Sequence, residues 1–100
     1  MRGIFKTKII DLGDVYVGKK YIVIFNVIKK LPPIYSIVSS CGCSKPSYNE
    51  SKKQIVVNYT PNKIPNHLRE QGWYETTKSI TVKYRDGSED ILRFKSTVKK

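Results

Sequence analysis

Apolar residues recur at every second position through most of this chain, and the breaks between the runs carry Gly, Pro, Asn and Asp. Because a β-strand turns successive side chains to opposite faces, this period predicts short strands. The clearest case places Ile80, Val82 and Tyr84 inward against Thr81 and Lys83 outward. No segment of helical length carries an amphipathic pattern. We therefore expect an all-β chain.

The strand-like stretches are bounded by turn residues and spread along the whole chain. A length of 100 residues suits one packed core and is too short for two. About seven strands of this kind fit a single immunoglobulin-like two-sheet β-sandwich, so we expect residues 1–100 to form one domain. The predicted strands cover residues 4–11, 15–17, 21–28, 34–40, 54–59, 79–84 and 91–98.

Three segments carry further expectations. Tyr21–Ile28 is apolar on both faces, which favours a central strand that is covered on both sides or partly covered by a partner. Arg85–Glu89 is a turn cluster that predicts a hairpin between the last two strands, with a loop longer than two residues. Thr60–Thr76 is the one long loop, and loops of more than about 12 residues are usually functional. It is the first candidate for a contact surface.

The charge is strongly lopsided, with 19 Lys and Arg against 8 Asp and Glu, or +11 at pH 7. Such a field attracts nucleic acid, anionic lipid or an acidic protein surface. A solvated lysine surface with no specific ligand is the alternative interpretation. Lysine dominates over arginine, which favours loose phosphate contact over base reading. The candidate anion contacts are three lysine pairs: Lys19, Lys20, Lys29, Lys30, Lys52 and Lys53.

The residue patterns of common enzymes are missing from this sequence. His67 is the one histidine, and we find neither a nucleophile elbow, nor a phosphate-binding glycine loop, nor a zinc-protease motif. The acids Asp86, Glu89 and Asp90 fall in a turn, where we expect them to serve solubility. We therefore expect no catalytic activity and no cofactor.

Cys41 and Cys43 are two positions apart, with Gly42 between them. On a strand their side chains would point the same way, and a disulfide would close a very small ring, so we expect free thiols. A structural zinc site needs four ligands, which this chain offers only with help from a partner. A nucleophilic pair with His67 stays open as a weaker alternative to simple packing.

The segment VSSCGCSKP, residues 38–46, resembles the signature SCGC(T/S)xP of the DUF1573 domains. Residues 11–18, DLGDVYVG, are similar to the opening DFGxVxxG of that family. Phe25-Asn26 matches the family's motif F-x-N-T-G at the asparagine. The family's closing strands are followed by residues 55–59 and by Gly72 with residues 78–82. The resemblance covers nearly the whole chain, and the CGC segment is its one strongly specific part.

DUF1573 domains are immunoglobulin-like sandwiches related to the ASH/HYDIN and major sperm protein group. The resemblance implies a non-catalytic module, often part of a larger assembly, and it leaves the role of the cysteines open. The chain departs from the pattern at Val27-Ile28, which replaces a Thr-Gly turn, at Pro32-Pro33, and in the longer loop at 60–76. These are the positions where individual members would contact their own partners.

Four residues of the long loop belong to types that serve as interface anchors or contacts: Arg69, Trp73, Tyr74 and His67. Trp73 has a second interpretation, as a cap on its own sandwich. We expect a structural or adaptor module that makes protein contacts as a small subunit of a larger assembly, with a virion-associated role as one form of this hypothesis. The alternative is a basic nucleic-acid-binding domain that uses the lysine pairs at strand ends, with Lys99 and Lys100 as a fourth pair.

The N-terminal residues show no secretory signal pattern, and no apolar run has the length of a membrane span. We therefore expect synthesis in the cytoplasm. The sequence leaves the partner and the oligomeric state undetermined.

Overall fold

The computed structural model of the chain describes residues 3–100 and shows two β-sheets packed face to face. One sheet has the strand order β1-β7-β6-β3, and the other has the order β2-β5-β4. The predicted all-β, immunoglobulin-like sandwich is confirmed. The strands are β1 (Ile9–Tyr16), β2 (Tyr21–Asn26), β3 (Ile34–Ser39), β4 (Ser44–Asn49), β5 (Gln54–Tyr59), β6 (Trp73–Tyr84) and β7 (Glu89–Lys99), with a short 3-10 helix at Asn66–Leu68.

The core lies between the two sheets and is built from the inward face of each strand. Ile80, Val82 and Tyr84 are buried as predicted, while Lys83 is exposed. Removing such side chains from water is the main favourable term in folding, at about 25 cal/mol per Å² of apolar surface. The buried hydrophobic residues are Ile4, Phe5, Val15, Val23, Phe25, Ile55, Val57, Tyr59, Ile80, Val82, Tyr84, Leu92, Phe94 and Val98.

The N-terminal part of the chain contributes to both sheets. Phe5 first bridges Val27 next to β2, and β1 then pairs in parallel with β7 in the other sheet. A bulge at Gly13, which has a φ of 68°, shifts the register between Asp11 and Asp14. Glycine adopts this left-handed conformation without steric cost. The two strands predicted at 4–11 and 15–17 are thus a short bridge followed by one bulged strand.

Two strand predictions in the smaller sheet are wrong. β4 was not expected, because its sequence SKPSYN is polar and contains Pro46, yet proline is tolerated on an edge strand. β2 was expected to be central, but it lies at an edge and its outward side chains Ile22 and Ile24 are exposed. The physical reason is that β1 crosses to the other sheet and leaves the outer side of β2 without a neighbour.

The last two strands form the predicted hairpin. β6 ends at Tyr84 and β7 begins at Glu89, so the connection is longer than two residues. At its other end β6 begins earlier than expected, because Trp73 pairs with Lys99. The long loop is therefore confined to residues 60–72.

Asp90 corrects the expectation that the acids near this turn serve solubility. Its carboxylate is buried, with 8% of the residue exposed. The Tyr84 hydroxyl donates a hydrogen bond of 2.7 Å to one oxygen, and Lys8 Nζ lies 3.1 Å from the other. Asp86 and Glu89 are exposed. One of the three acids thus belongs to the structural interior.

The burial of Tyr59 predicts that the stability of the fold decreases at alkaline pH. Desolvation by burial raises the pKa of Tyr59 above its ordinary value of 10.0, and a hydrogen bond with Ser96 partly offsets this. The folded state therefore disfavours the tyrosinate. The protonated Tyr59 side chain contributes to stability below about pH 10. This contribution is lost as the pH rises through the raised pKa of Tyr59.

Spectrophotometric titration of tyrosine ionisation checks this expectation. We expect Tyr59→Phe to reduce the late part of the titration by the amplitude of one tyrosine, and its free energy of unfolding to fall less steeply above about pH 10. Tyr35→Phe is the control, because Tyr35 is 68% exposed. An unchanged late part of the titration in Tyr59→Phe would contradict the assignment.

Candidate functional site

Three loops and the C-terminal residue meet at one end of the sandwich. The Gly18 amide donates to the Pro61 carbonyl at 3.2 Å, the Val17 amide to the Lys99 carbonyl at 3.0 Å, and the Thr60 amide to the Cys43 carbonyl at 2.9 Å. These bonds tie together residues 17–20, 40–43, 60–72 and Lys100, which we call the basic end. The strand directions place residues 27–33, 50–53 and 85–88 at the opposite end.

The basic end contains an open cavity of about 500 Å³. Val17 and Ile64 contribute its apolar part, and both pack against the core. Lys63, Arg69 and Lys100 contribute cations, Asn66 completes the lining, and no acidic side chain takes part. None of the three cations forms an ion pair within residues 3–100. The charges are therefore available to an anionic group that enters the cavity.

A second cleft of about 560 Å³ lies on the other side of the same end. It also contains two lysines, Lys20 and Lys45, and no acidic side chain. Lys19 lies nearby in the chain, with its Nζ 5.4 Å from the centre of the Tyr16 ring, within the range of a cation–π contact. The positive potential thus extends around this end of the molecule.

The structure separates the four predicted partner-binding residues. Arg69 lines the cavity, and His67 is exposed on the short 3-10 helix beside it. Trp73 points outward and is 41% exposed. Tyr74 is half-buried and packs against the core, so its ring is part of the sandwich.

The six lysines proposed as anion contacts are divided between the two ends. Lys19 and Lys20 belong to the basic end, whereas Lys29, Lys30 and Lys53 line a cleft at the opposite end together with Glu50. Lys52 lies in the adjacent turn. The pairs therefore do not form one continuous patch.

Sequence reasoning missed Val17, Lys63, Ile64 and Asn66 as lining residues of the cavity, and it named Lys100 only as a phosphate contact together with Lys99. Lys63 and Ile64 lie in the long loop that was singled out, so their region was anticipated but not their role. Val17 and Lys100 come from distant parts of the chain, and only the pairing of β1 with β7 brings them together.

Cys41 and Cys43 form a disulfide, which corrects the expectation of free thiols. The expectation assumed strand geometry, but both cysteines lie in the turn between β3 and β4. The turn brings their Cα atoms to 5.2 Å, inside the usual disulfide range of about 4.4–6.8 Å. Gly42 is exposed at its tip, and the Cys43 amide donates to Cys41 Sγ at 3.1 Å.

We expect reduction of this disulfide to lower the free energy of unfolding by only about 1.5 kcal/mol, because the closed loop is very short and the entropic effect grows with loop length. Urea denaturation with and without a phosphine reductant measures the difference. The variant Cys41→Ser/Cys43→Ser is the control and should not respond to the reductant. Two titratable thiols in the untreated protein would show that the bond is absent.

Within residues 3–100, no group of three or more His, Cys, Asp or Glu side chains is arranged to hold a metal ion. In the same part of the chain, no helix is long and apolar enough to cross a membrane.

No family model matches the chain, and no curated protein matches its sequence. Among solved structures, the chain is similar to the R347E mutant of the SrpA adhesin from Streptococcus sanguinis, with a TM-score of 0.51 and 13% identity over 86% of this chain and 54% of the adhesin chain. A sialyltransferase from Photobacterium damsela is also similar, with a TM-score of 0.42 and 19% identity over 90% of this chain and 18% of the enzyme chain. The chain spans about half the length of the adhesin chain that it matches. At this identity the likeness to the adhesin shows the fold alone. The chain is therefore a β-sandwich domain.

Proposed function

We propose that this chain is a non-catalytic adaptor module that binds an acidic protein partner at its basic end, as a small subunit of a larger assembly. The cavity between the long loop, Val17 and Lys100 carries this proposal. An apolar lining with three surrounding cations suits an Asp or Glu side chain that is presented by an apolar segment. The Arg69 guanidinium offers a fork of donors that matches a carboxylate.

The distribution of charge supports a protein partner over nucleic acid. Non-specific nucleic-acid binding uses a continuous basic stripe that follows the phosphates. Here the lysine pairs lie at opposite ends of the molecule. The exposed acids Asp11, Glu75 and Glu89 lie between these ends on the outward face of the four-stranded sheet. On the same face Lys83 lies opposite Glu89 and Lys95 lies opposite Asp11, so these charges largely cancel and no continuous basic stripe joins the two ends.

The likeness of residues 38–46 to DUF1573 domains supports the same proposal, since that resemblance implies a module of larger assemblies. A virion is one assembly in which a lysine-rich accessory subunit would meet acidic surfaces or packaged nucleic acid. This setting is the narrower form of the proposal.

Two charge-reversal variants with equal changes in net charge test the site. Lys63→Glu/Arg69→Glu alters the cavity, and Lys52→Glu/Lys53→Glu alters the opposite end. Each variant and the wild type are tagged in the native source, treated with nuclease, and their co-purifying proteins are quantified by mass spectrometry. We expect one defined protein to be retained by the wild type and the Lys52/Lys53 variant. The cavity variant should lose it at least about tenfold, which corresponds to 1.4 kcal/mol.

Two results would contradict the proposal. Loss of all partners on nuclease treatment would favour the nucleic-acid alternative. An equal loss in both variants would show that net charge, and not the cavity, carries the interaction.

A further inference from the structure

The edge of β2 differs from the other sheet edges of the sandwich. An exposed edge strand offers unpaired backbone groups to other chains, and proteins commonly block it with charges, proline or bulges. Among the described residues, β4 contains Pro46 and an exposed Lys45, and β1 carries a bulge and two exposed acids. β3 has a register irregularity between Ile34 and Ser36. β2, with the sequence YIVIFN, has none of these features.

The backbone pairing shows which groups of β2 face outward. The Val27 amide donates to the Lys53 carbonyl, just before β5, at 2.9 Å. On the other side, the Asn26 carbonyl accepts from the Lys6 amide at 2.9 Å, and the Ile28 amide donates to the Ile4 carbonyl at 2.8 Å. Alternate residues of an antiparallel strand point their backbone groups to opposite sides. Ile22 and Ile24 therefore point the same way as Asn26 and Ile28. The N-terminal segment crosses to the other sheet before it reaches Ile22 and Ile24. Within residues 3–100, nothing therefore pairs with the outward backbone groups of these two residues.

The side chains beside this edge are apolar and exposed. Ile22 is 64% exposed and Ile24 is 39% exposed. Val56 on β5 lies opposite Ile24 of β2. It is half-buried and extends the apolar row. A strand added at this edge would cover the row with its own alternate side chains. This arrangement agrees with the second interpretation of the apolar β2 sequence, namely a strand covered by a partner.

We propose that β2 binds an extended acidic segment of another protein as an added β-strand. Main-chain hydrogen bonds to Ile22 and Ile24 would give affinity, and the apolar row would select alternate apolar side chains. The acidic character follows from the lysines around the edge. Lys19 and Lys20 precede β2 directly, Lys29 and Lys30 follow the bridge residue Val27 at its other end, and all four lysines are exposed.

The same charges argue against a second copy of this chain as the occupant. Two copies would each carry +11. Antiparallel pairing of β2 with itself would bring Lys19 and Lys20 of one copy toward Lys29 and Lys30 of the other, and like charges in contact are destabilising.

Hydrogen exchange and peptide titration test this site. In the free protein, we expect the amides of Ile22 and Ile24 to exchange faster than those of Val23 and Phe25, which pair with β5. The probe is a short peptide of alternating Glu and Val residues, and a peptide of alternating Lys and Val residues is its control. We expect the acidic peptide to slow exchange at Ile22 and Ile24 at least about tenfold, and to do so equally in Lys63→Glu/Arg69→Glu, in which the cavity no longer attracts a carboxylate.

Ile24→Lys places a charge on the edge and should weaken peptide binding at least about tenfold. Tyr35→Lys, on the β3 edge, is the matched control and should bind normally after both variants are shown to be folded. Lys63→Glu/Arg69→Glu should also bind the peptide, because the cavity is a separate site, so this proposal and the proposed function can fail independently.

Three outcomes would overturn the inference. The first is equal binding of the basic peptide, and the second is an acidic peptide that binds at β3 or not at all. The third is self-association that sedimentation detects and Ile24→Lys abolishes, which would identify a second copy as the occupant.

Discussion

Replacing Phe94 by alanine is expected to lower the free energy of unfolding by about 3–5 kcal/mol, which is a large part of the total of about 5–15 kcal/mol for a domain of this kind. Phe94 is fully buried on β7, which lies between β1 and β6. Its ring packs edge-on against Tyr59, with ring centres 4.9 Å apart. The substitution removes this contact and leaves a cavity where the two sheets meet.

Urea denaturation followed by circular dichroism measures the loss. Tyr35→Ala is the control, because Tyr35 is exposed, and it should change the free energy of unfolding by less than about 0.5 kcal/mol. Equal effects of the two substitutions would show that the packing between the sheets is not as described.

Replacing Asp90 by alanine is expected to cost about 2–3 kcal/mol. The larger part comes from the buried hydrogen bond that the Tyr84 hydroxyl donates to the carboxylate. The contact with Lys8 contributes little, because the Lys8 side chain is 48% exposed and such pairs give only about 0–1 kcal/mol. The loss would be measured by the same denaturation experiment.

Two further variants measure the separate contributions of Tyr84 and Lys8. Asp90→Asn keeps an acceptor for Tyr84 and should cost less than alanine. Lys8→Ala should cost no more than about 1 kcal/mol. If Lys8→Ala destabilises the protein as much as Asp90→Ala, the ion pair and not the buried hydrogen bond is the main contribution.

The β6–β7 hairpin could be predicted from the sequence because its strands alternate cleanly and a turn cluster separates them. β4 could not, since its polar residues pair through backbone groups that every sequence possesses. The position of β2 also could not be predicted. Its apolar residues indicate that both faces tend to be covered, but they do not say whether the cover comes from this chain. That depends on the point at which the N-terminal segment changes sheets.

The candidate site was predictable in part. Arg69 was identified from its residue type in a long loop, and it does line the cavity. The contribution of Val17 and Lys100 depends on tertiary pairing of the two ends of the chain, which local pattern does not encode. The disulfide was missed for a different reason, because the turn that contains Cys41 and Cys43 was treated as a continuation of a strand.

The parallel pairing of β1 with β7 has a consequence for how the domain is made. β1 begins at Ile9, and its partner strand ends at Lys99, so almost the whole chain separates the two. Contacts of such long sequence separation slow folding, because the loop between them must close before they form. During synthesis, β1 has no partner strand until the last residues of β7 leave the ribosome. The four-stranded sheet is therefore completed only once β7 has emerged, and until then β1 is an open edge that a chaperone or a neighbouring chain can occupy.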